Sequence, residues 1–224
     1  EPMSTGIGGD AFALIWSAKD KKVSALNAGG RAPGSASLDE LRNQGLSAIP
    51  ANSPYAISVP GTVDGWHSIL SSHGTMPLSE VLKPAIEYAE QGFPVSQVIA
   101  HQWQGSTNKL AGQPSGSEFL IDGNAPNRGD IVKLPTLANT LRLISEGGRD
   151  AFYKGPIADQ IASFVQDHGG WLSTEDLASH TSTWVEPIHT EYRGVTCWEC
   201  PPNGQGLIAL TSLNIVEGFD LHSM

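Results

Sequence analysis

Arg31 stands in Gly29-Gly30-Arg31-Ala32-Pro33-Gly34, directly after a strand-like run, where a planar guanidinium could offer two parallel N–H donors to a carboxylate. Loop arginines also brace backbone carbonyls, so position alone allows either a ligand-holding or a loop-holding role. Cys197 and Cys200 form a C-x-x-C that invites a redox or metal role. They sit in residues 195–200, a run between Gly194 and Pro201-Pro202 that favours a strand. Three residues apart on a strand, they face opposite sides with Cα atoms about 10 Å apart, beyond disulfide reach. Zinc needs about four ligands, and there is no second pair. Two packed or partly exposed thiols are expected, and the redox compartment stays open.

The seven histidines (67, 73, 101, 168, 180, 189 and 222) show no H-E-x-x-H or H-x-x-x-H spacing on an expected helix, and most read as surface or cap residues. No G-x-S-x-G elbow is present, and the C-x-x-C has no evident base beside it, so no nucleophile is visible. The glycines of Gly6-Ile7-Gly8-Gly9-Asp10 precede a strand, whereas a dinucleotide fingerprint places them after one. They are expected to let the backbone pass close to a neighbouring element. Gly204-Gln205-Gly206 reads as a plain helix entry, although such amides can hold an anion. No cofactor and no metal are expected.

The elements that must position Arg31 follow from periodicity. Residues 11–16 and 23–28 flank a polar Lys19-Asp20-Lys21-Lys22 tip and predict an antiparallel hairpin. Its first strand is apolar on both faces, which predicts a sheet covered by another sheet on one side and helices on the other. From about 38 to 180 the pattern is helical, broken by Gly and Pro. A stripe at 78, 82, 85, 86 and 89 is interrupted or kinked at Pro84; Pro135 and Pro156 open two further helices, stopped at Gly147 and Gly169-Gly170. Ser173 with Asp176 makes a capping pair. Strand-like text returns at 188–193 and 195–200, and a last helix ends near Gly218. The fold class is α+β: a single partial domain over 1–224, strands about 11–28 and 188–200 flanking a helical block about 38–180, with the sheet completed from elsewhere.

Composition bounds the partners. The chain has 224 residues, 39% apolar and 16% charged, enough for a sizeable core. A net charge of -10 without a basic run argues against nucleic acid. Apolar runs stop far short of the ~20 residues that span a bilayer, so no membrane partner is expected and the chain reads as soluble. Glu1-Pro2 without a leader, and an end at Met224 just after a helix, point to a chain cut at both ends, which leaves localisation unassigned. Uncovered apolar sheet surface would favour pairing, a swapped or tight homodimer of the fragment included.

Several segments together resemble the gamma-glutamyltranspeptidase family. They are residues 5–12 (Thr-Gly-Ile-Gly-Gly-Asp-Ala-Phe), 59–66 (Val-Pro-Gly-Thr-Val-Asp-Gly-Trp), 82–86, 90–96, 129–130 with 135–138, 150–155, 184–188, 192–194 and 201–206, in family order over nearly the whole chain. The resemblance implies an N-terminal-nucleophile hydrolase with a four-layer αββα fold, made as a precursor that cuts itself into a larger and a smaller chain. The new N-terminal Thr of the smaller chain is then the nucleophile, with its own α-amine as base. That Thr would lie beyond Met224, so the chain reads as a large-subunit fragment that is silent alone. Its partners would be the small subunit and a small gamma-glutamyl or acyl amide. Typical transpeptidases carry an Arg-Glu-x-Ala-Pro stretch whose Arg grips the glutamyl α-carboxylate; aligned on Ala32-Pro33, that position is Gly29 here, and Arg31 lies two residues later. This form looks like the transpeptidase-like and cephalosporin-acylase-like branch, in which Arg31 reaches a substrate carboxylate or only braces its loop. An acylase of glutaryl-type amides and a non-catalytic scaffold are the alternatives.

Overall fold

The computed structural model describes residues 5–114 and 116–224. The Glu1-Pro2 start singled out above lies outside them. Strands β1 (Ala11–Ser17) and β2 (Lys22–Ala28) form the expected hairpin, with Ala11 opposite Ala28 and Ser17 opposite Lys22. The helical block follows as α1 (Leu38–Asn43), α2 (Thr62–His73), α3 (Leu78–Gln91), α4 (Gln97–Gln104), α5 (Thr107–Ala111), α6 (Pro135–Tyr153), α7 (Pro156–Asp167) and α8 (Thr174–Ser179). Two short strands, β3 (Phe93–Pro94) and β4 (Ile131–Val132), pair inside it. Strand β5 (Thr183–Val185) then returns to the first sheet and pairs antiparallel with β2, giving the order β1-β2-β5. Strands β6 (Ile188–Tyr192) and β7 (Val195–Glu199) form a second hairpin, and α9 (Gly206–Glu217) packs on it. Its two-residue turn has both Arg193 (φ 51) and Gly194 (φ 81) left-handed, the geometry that matches strand twist.

The core lies in the helical block. Val63 of α2, Leu82 of α3, Leu141, Ile144, Phe152 and Tyr153 of α6, Val165 of α7 and Leu177 of α8 form one buried cluster. A second gathers Trp103, Val95, Val132, Leu134 and Ala138. Ser173 caps α8 in a reciprocal box with Asp176, as the sequence predicts.

Two expectations need correction. Helix α3 runs unbroken through Pro84, which is exposed, so water can meet the carbonyl four residues back that has lost its donor. The break in α6 falls at Gly148, not Gly147, because Gly148 takes φ 66 and ψ -155, a region closed to other residues, and the chain re-enters helix at once. Within this chain the sheet has a helical layer on one face and an open apolar face on the other, as expected of a sheet completed from elsewhere: α2 packs over the face of Ala11, Leu26 and Ala28, whereas Phe12, Leu14 and Trp16 stay 40–60% exposed. No helix among the described residues is long and apolar enough to cross a membrane.

Candidate functional site

Arg31 leaves the end of β2 on a loop that is tied down on both sides. The Gly30 amide donates to Asp10 Oδ1 at 2.8 Å, and the Val59 amide donates to the Arg31 carbonyl at 3.0 Å. The chain at 59–62 lies against this loop on its way into α2, and the Gly9 carbonyl accepts from the Gly61 amide (2.9 Å), the Thr62 amide (3.0 Å) and Thr62 Oγ1 (2.8 Å). Side chains cannot fit between these segments: a Cβ on Gly30 would stand 1.6 Å from the Val59 carbonyl oxygen, and one on Gly61 1.9 Å from that of Ala28. Of the glycines at 6–9, Gly9 does pass close to a neighbouring element through its carbonyl, but the spacing that excludes a side chain lies at Gly30 and Gly61: a Cβ on Gly9 would stand 3.7 Å from the Gly6 carbonyl oxygen, and one on Gly6 or Gly8 would meet nothing within 4 Å.

The exposed Arg31 side chain donates from Nη1 to the Thr181 carbonyl at 3.3 Å. Beside it opens a cleft of about 380 Å³ lined by Arg31, Ala32, Val59, Asp176, His180 and Thr181 among others. Among the described residues no carboxylate pairs with Arg31. A guanidinium carries five N–H donors, so most of its fork is available to an anion entering the cleft.

Behind the cleft lies a buried polar cluster that the sequence did not disclose. Asp64, in the first turn of α2, bonds Arg149 Nε and accepts the Ser182 amide at 2.5 Å. Arg149 also donates to the His180 carbonyl and, from Nη1, to Asp150 at 2.9 Å, and its guanidinium lies 4.7 Å over the Tyr153 ring. The Tyr153 hydroxyl donates to the Pro60 carbonyl at 2.7 Å and accepts the Asp64 amide at 3.1 Å. Burial works against ionisation of Asp64, yet the bonds from Ser182 and Arg149 outweigh it and hold its carboxyl below the usual carboxylate range. Burial likewise pushes the Tyr153 hydroxyl up, so it stays protonated.

His180 ends α8 as a cap residue, one of the two roles expected of the histidines, but it is buried. It is 2% exposed, stacks on Tyr153 at 5.5 Å, and among the described residues has no hydrogen-bond partner on either ring nitrogen. Burial is the main cause lowering its pKa; Asp64 opposes that, and Arg31 and Arg149 reinforce it. A depressed histidine contributes stability in full above its unfolded pKa, ~6.5, and that contribution is lost as pH falls toward the lower folded value. Urea denaturation at pH 7.5 and 5.5 should show the loss, and His180→Gln should flatten it. Equal pH dependence in both proteins would refute the assignment.

The cysteines behave as packed thiols. Cys197 is half-buried in β7, and Cys200, buried just past its end, lies 3.7 Å from the Ala13 carbonyl; both are free. Burial pushes the Cys200 thiol up. Among the described residues no group of three or more His, Cys, Asp or Glu could hold a metal.

The chain is 38% identical over 221 residues to the glutathione hydrolase-like YwrD proenzyme of Bacillus subtilis, covering 98% of this chain and 42% of that protein. The cephalosporin acylase of Bacillus halodurans superposes with a TM-score of 0.91 at 41% identity, covering 99% of this chain and 42% of that one. The gamma-glutamyltranspeptidase of Helicobacter pylori superposes with a TM-score of 0.89 at 31% identity, covering 99% and 65%. The chain thus spans about two fifths of the length of the curated relative it matches. The family profile described as gamma-glutamyltranspeptidase matches residues 1–224, end to end, and with it the chain belongs to the gamma-glutamyltranspeptidase family.

Proposed function

We propose that the whole protein cleaves or transfers gamma-glutamyl and related acyl amides, and that this chain is the non-nucleophilic, larger-subunit part of it. The nucleophile is the N-terminal Thr of a smaller subunit, cut from the same precursor and completing a four-layer αββα fold over the open face of β1. The Thr hydroxyl attacks the amide carbonyl and passes its proton through the Thr α-amine to the departing amine; water or a second amine then resolves the acyl-enzyme. Arg31 holds the free carboxylate of the acyl group. The observation that carries this reading is the open guanidinium fork at the cleft, in a chain whose whole length matches the family. Alone, the chain is inactive.

A specific observation favours glutaryl-type amides as the second reading. Gly29 offers no side chain, and the space a Cβ there would enter is taken by Asn27 Oδ1 and Asn203 Nδ2, each 2.9 Å from it, on two asparagines that hydrogen-bond each other at 2.9 Å. Among the described residues that line the cleft, Arg31, displaced along the loop, is the guanidinium that meets a carboxylate, and a solved relative of high similarity is a cephalosporin acylase.

The test is incubation of the full-length precursor, a denaturing gel with N-terminal sequencing, and assay on gamma-glutamyl and glutaryl p-nitroanilides. Two bands, a new N-terminal Thr and nitroaniline release are expected, with the faster substrate choosing the acyl group. A single uncut band without release would replace this reading with a non-catalytic scaffold.

A further inference from the structure

We infer that Asp64 and Arg149 act together as a positioning pair for Arg31, fixing its guanidinium at the cleft through the backbone of residues 180–182. The inference rests on the carboxylate-binding reading of Arg31 above. Neither member of the pair lines the cleft, so neither touches a ligand there. Both instead grip the strip of chain that Arg31 leans on. Arg149 holds the His180 carbonyl, and Asp64 holds the Ser182 amide at 2.5 Å. Thr181 lies between these two anchors, and its carbonyl is the acceptor for Arg31 Nη1 at 3.3 Å. With both neighbours fixed, the Thr181 peptide cannot swing, and the direction of the Arg31 side chain is set.

The same cluster also holds the other side of Arg31. Tyr153 joins the Asp64 amide to the Pro60 carbonyl, and Val59, one residue before Pro60, bonds the Arg31 carbonyl. A buried ion pair contributes little net stability, because removing two charges from water offsets most of their attraction; a role in fixing geometry is the better account of this one. Arg149 also suits this position, since its planar fork reaches Asp64 from Nε and the His180 carbonyl from Nη2, a spread that the compact ammonium of a lysine does not reproduce.

The test uses the processed full-length enzyme, with rates per N-terminal Thr, on glutaryl p-nitroanilide and on butyryl p-nitroanilide, which lacks the distal carboxylate. Arg149→Lys keeps the charge opposite Asp64 and releases the His180 carbonyl. It should raise KM for the glutaryl substrate about tenfold with kcat within about twofold, and leave butyryl kcat/KM within about twofold. In an Arg31→Ala background the same change should add nothing. Asp64→Asn, read the same way and alongside its melting temperature, supplies a second approach if the lysine variant does not process. Equal loss on both substrates, or loss that adds to that of Arg31→Ala, would overturn the positioning role while leaving Arg31 in place. If Arg31→Ala itself leaves the glutaryl-to-butyryl ratio unchanged, the carboxylate reading falls and this inference falls with it.

Discussion

Asp64→Ala is expected to destabilise the fold by about 3–5 kcal/mol, the cost of leaving the Arg149 charge without its buried partner, since the remaining one, Asp150, is exposed. The Asp64 and Arg149 side chains are only 5% and 15% exposed, so water cannot replace the lost carboxylate. The Ser182 amide loses its acceptor in the same step. Urea unfolding followed by tryptophan fluorescence should report the loss. Replacing both charges, as Asp64→Leu with Arg149→Met, should recover most of it, since removing a whole buried pair is often nearly neutral. A loss below about 1 kcal/mol for Asp64→Ala would mean that Asp150, which already accepts from Arg149 at 2.9 Å, or solvent is enough to hold the guanidinium. The acid dependence has a definite sign: a depressed carboxyl contributes in full above its unfolded pKa, ~4, and loses that contribution as pH falls through its lower folded value.

A single methyl group at Gly30 should do comparable damage. The Cβ would fall 1.6 Å from a backbone oxygen, and a peptide group, unlike the tip of a flexible side chain, cannot turn aside. Gly30→Ala is therefore expected to cost about 3 kcal/mol or more, at or beyond the upper end of ordinary overpacking. Gly6→Ala is the control: with nothing within 4 Å of its Cβ, it should change stability by no more than about 0.5 kcal/mol. Similar midpoints for the two variants in urea would show that the 59–61 segment can move away from the Arg31 loop.

Local patterns in the sequence disclosed most of the elements but not how they meet. The β1–β2 hairpin, the proline starts of α6 and α7, the Ser173 cap and the end of α9 all follow from signals within a few residues of each element. Strand β5 is only three residues long, and its partner lies in β2, so no local period marks it. The candidate site divides the same way. Arg31 drew notice because glycines surround it, whereas Asp64, Arg149 and His180 stand far apart in ordinary helical text and become a cluster only after folding. A carboxylate in the first turn of an apolar helix, with an arginine just after a Gly-Gly pair, was the one available hint, and helix N-termini carry acidic residues for simpler reasons.

The pairing of β2 with β5 also sets a timetable during synthesis. Asn27 meets Thr183, so the inner strand of the sheet has one edge without its partner until more than 150 further residues have been made. At ~5–20 residues per second the ribosome needs on the order of 10–30 s to supply β5. Throughout that interval the hairpin carries both a free edge and the Phe12, Leu14 and Trp16 side chains, the combination that recruits chaperones or other nascent chains. Slowing translation between β2 and β5 should therefore lower the soluble yield, whereas slowing it after β5 should affect the yield less.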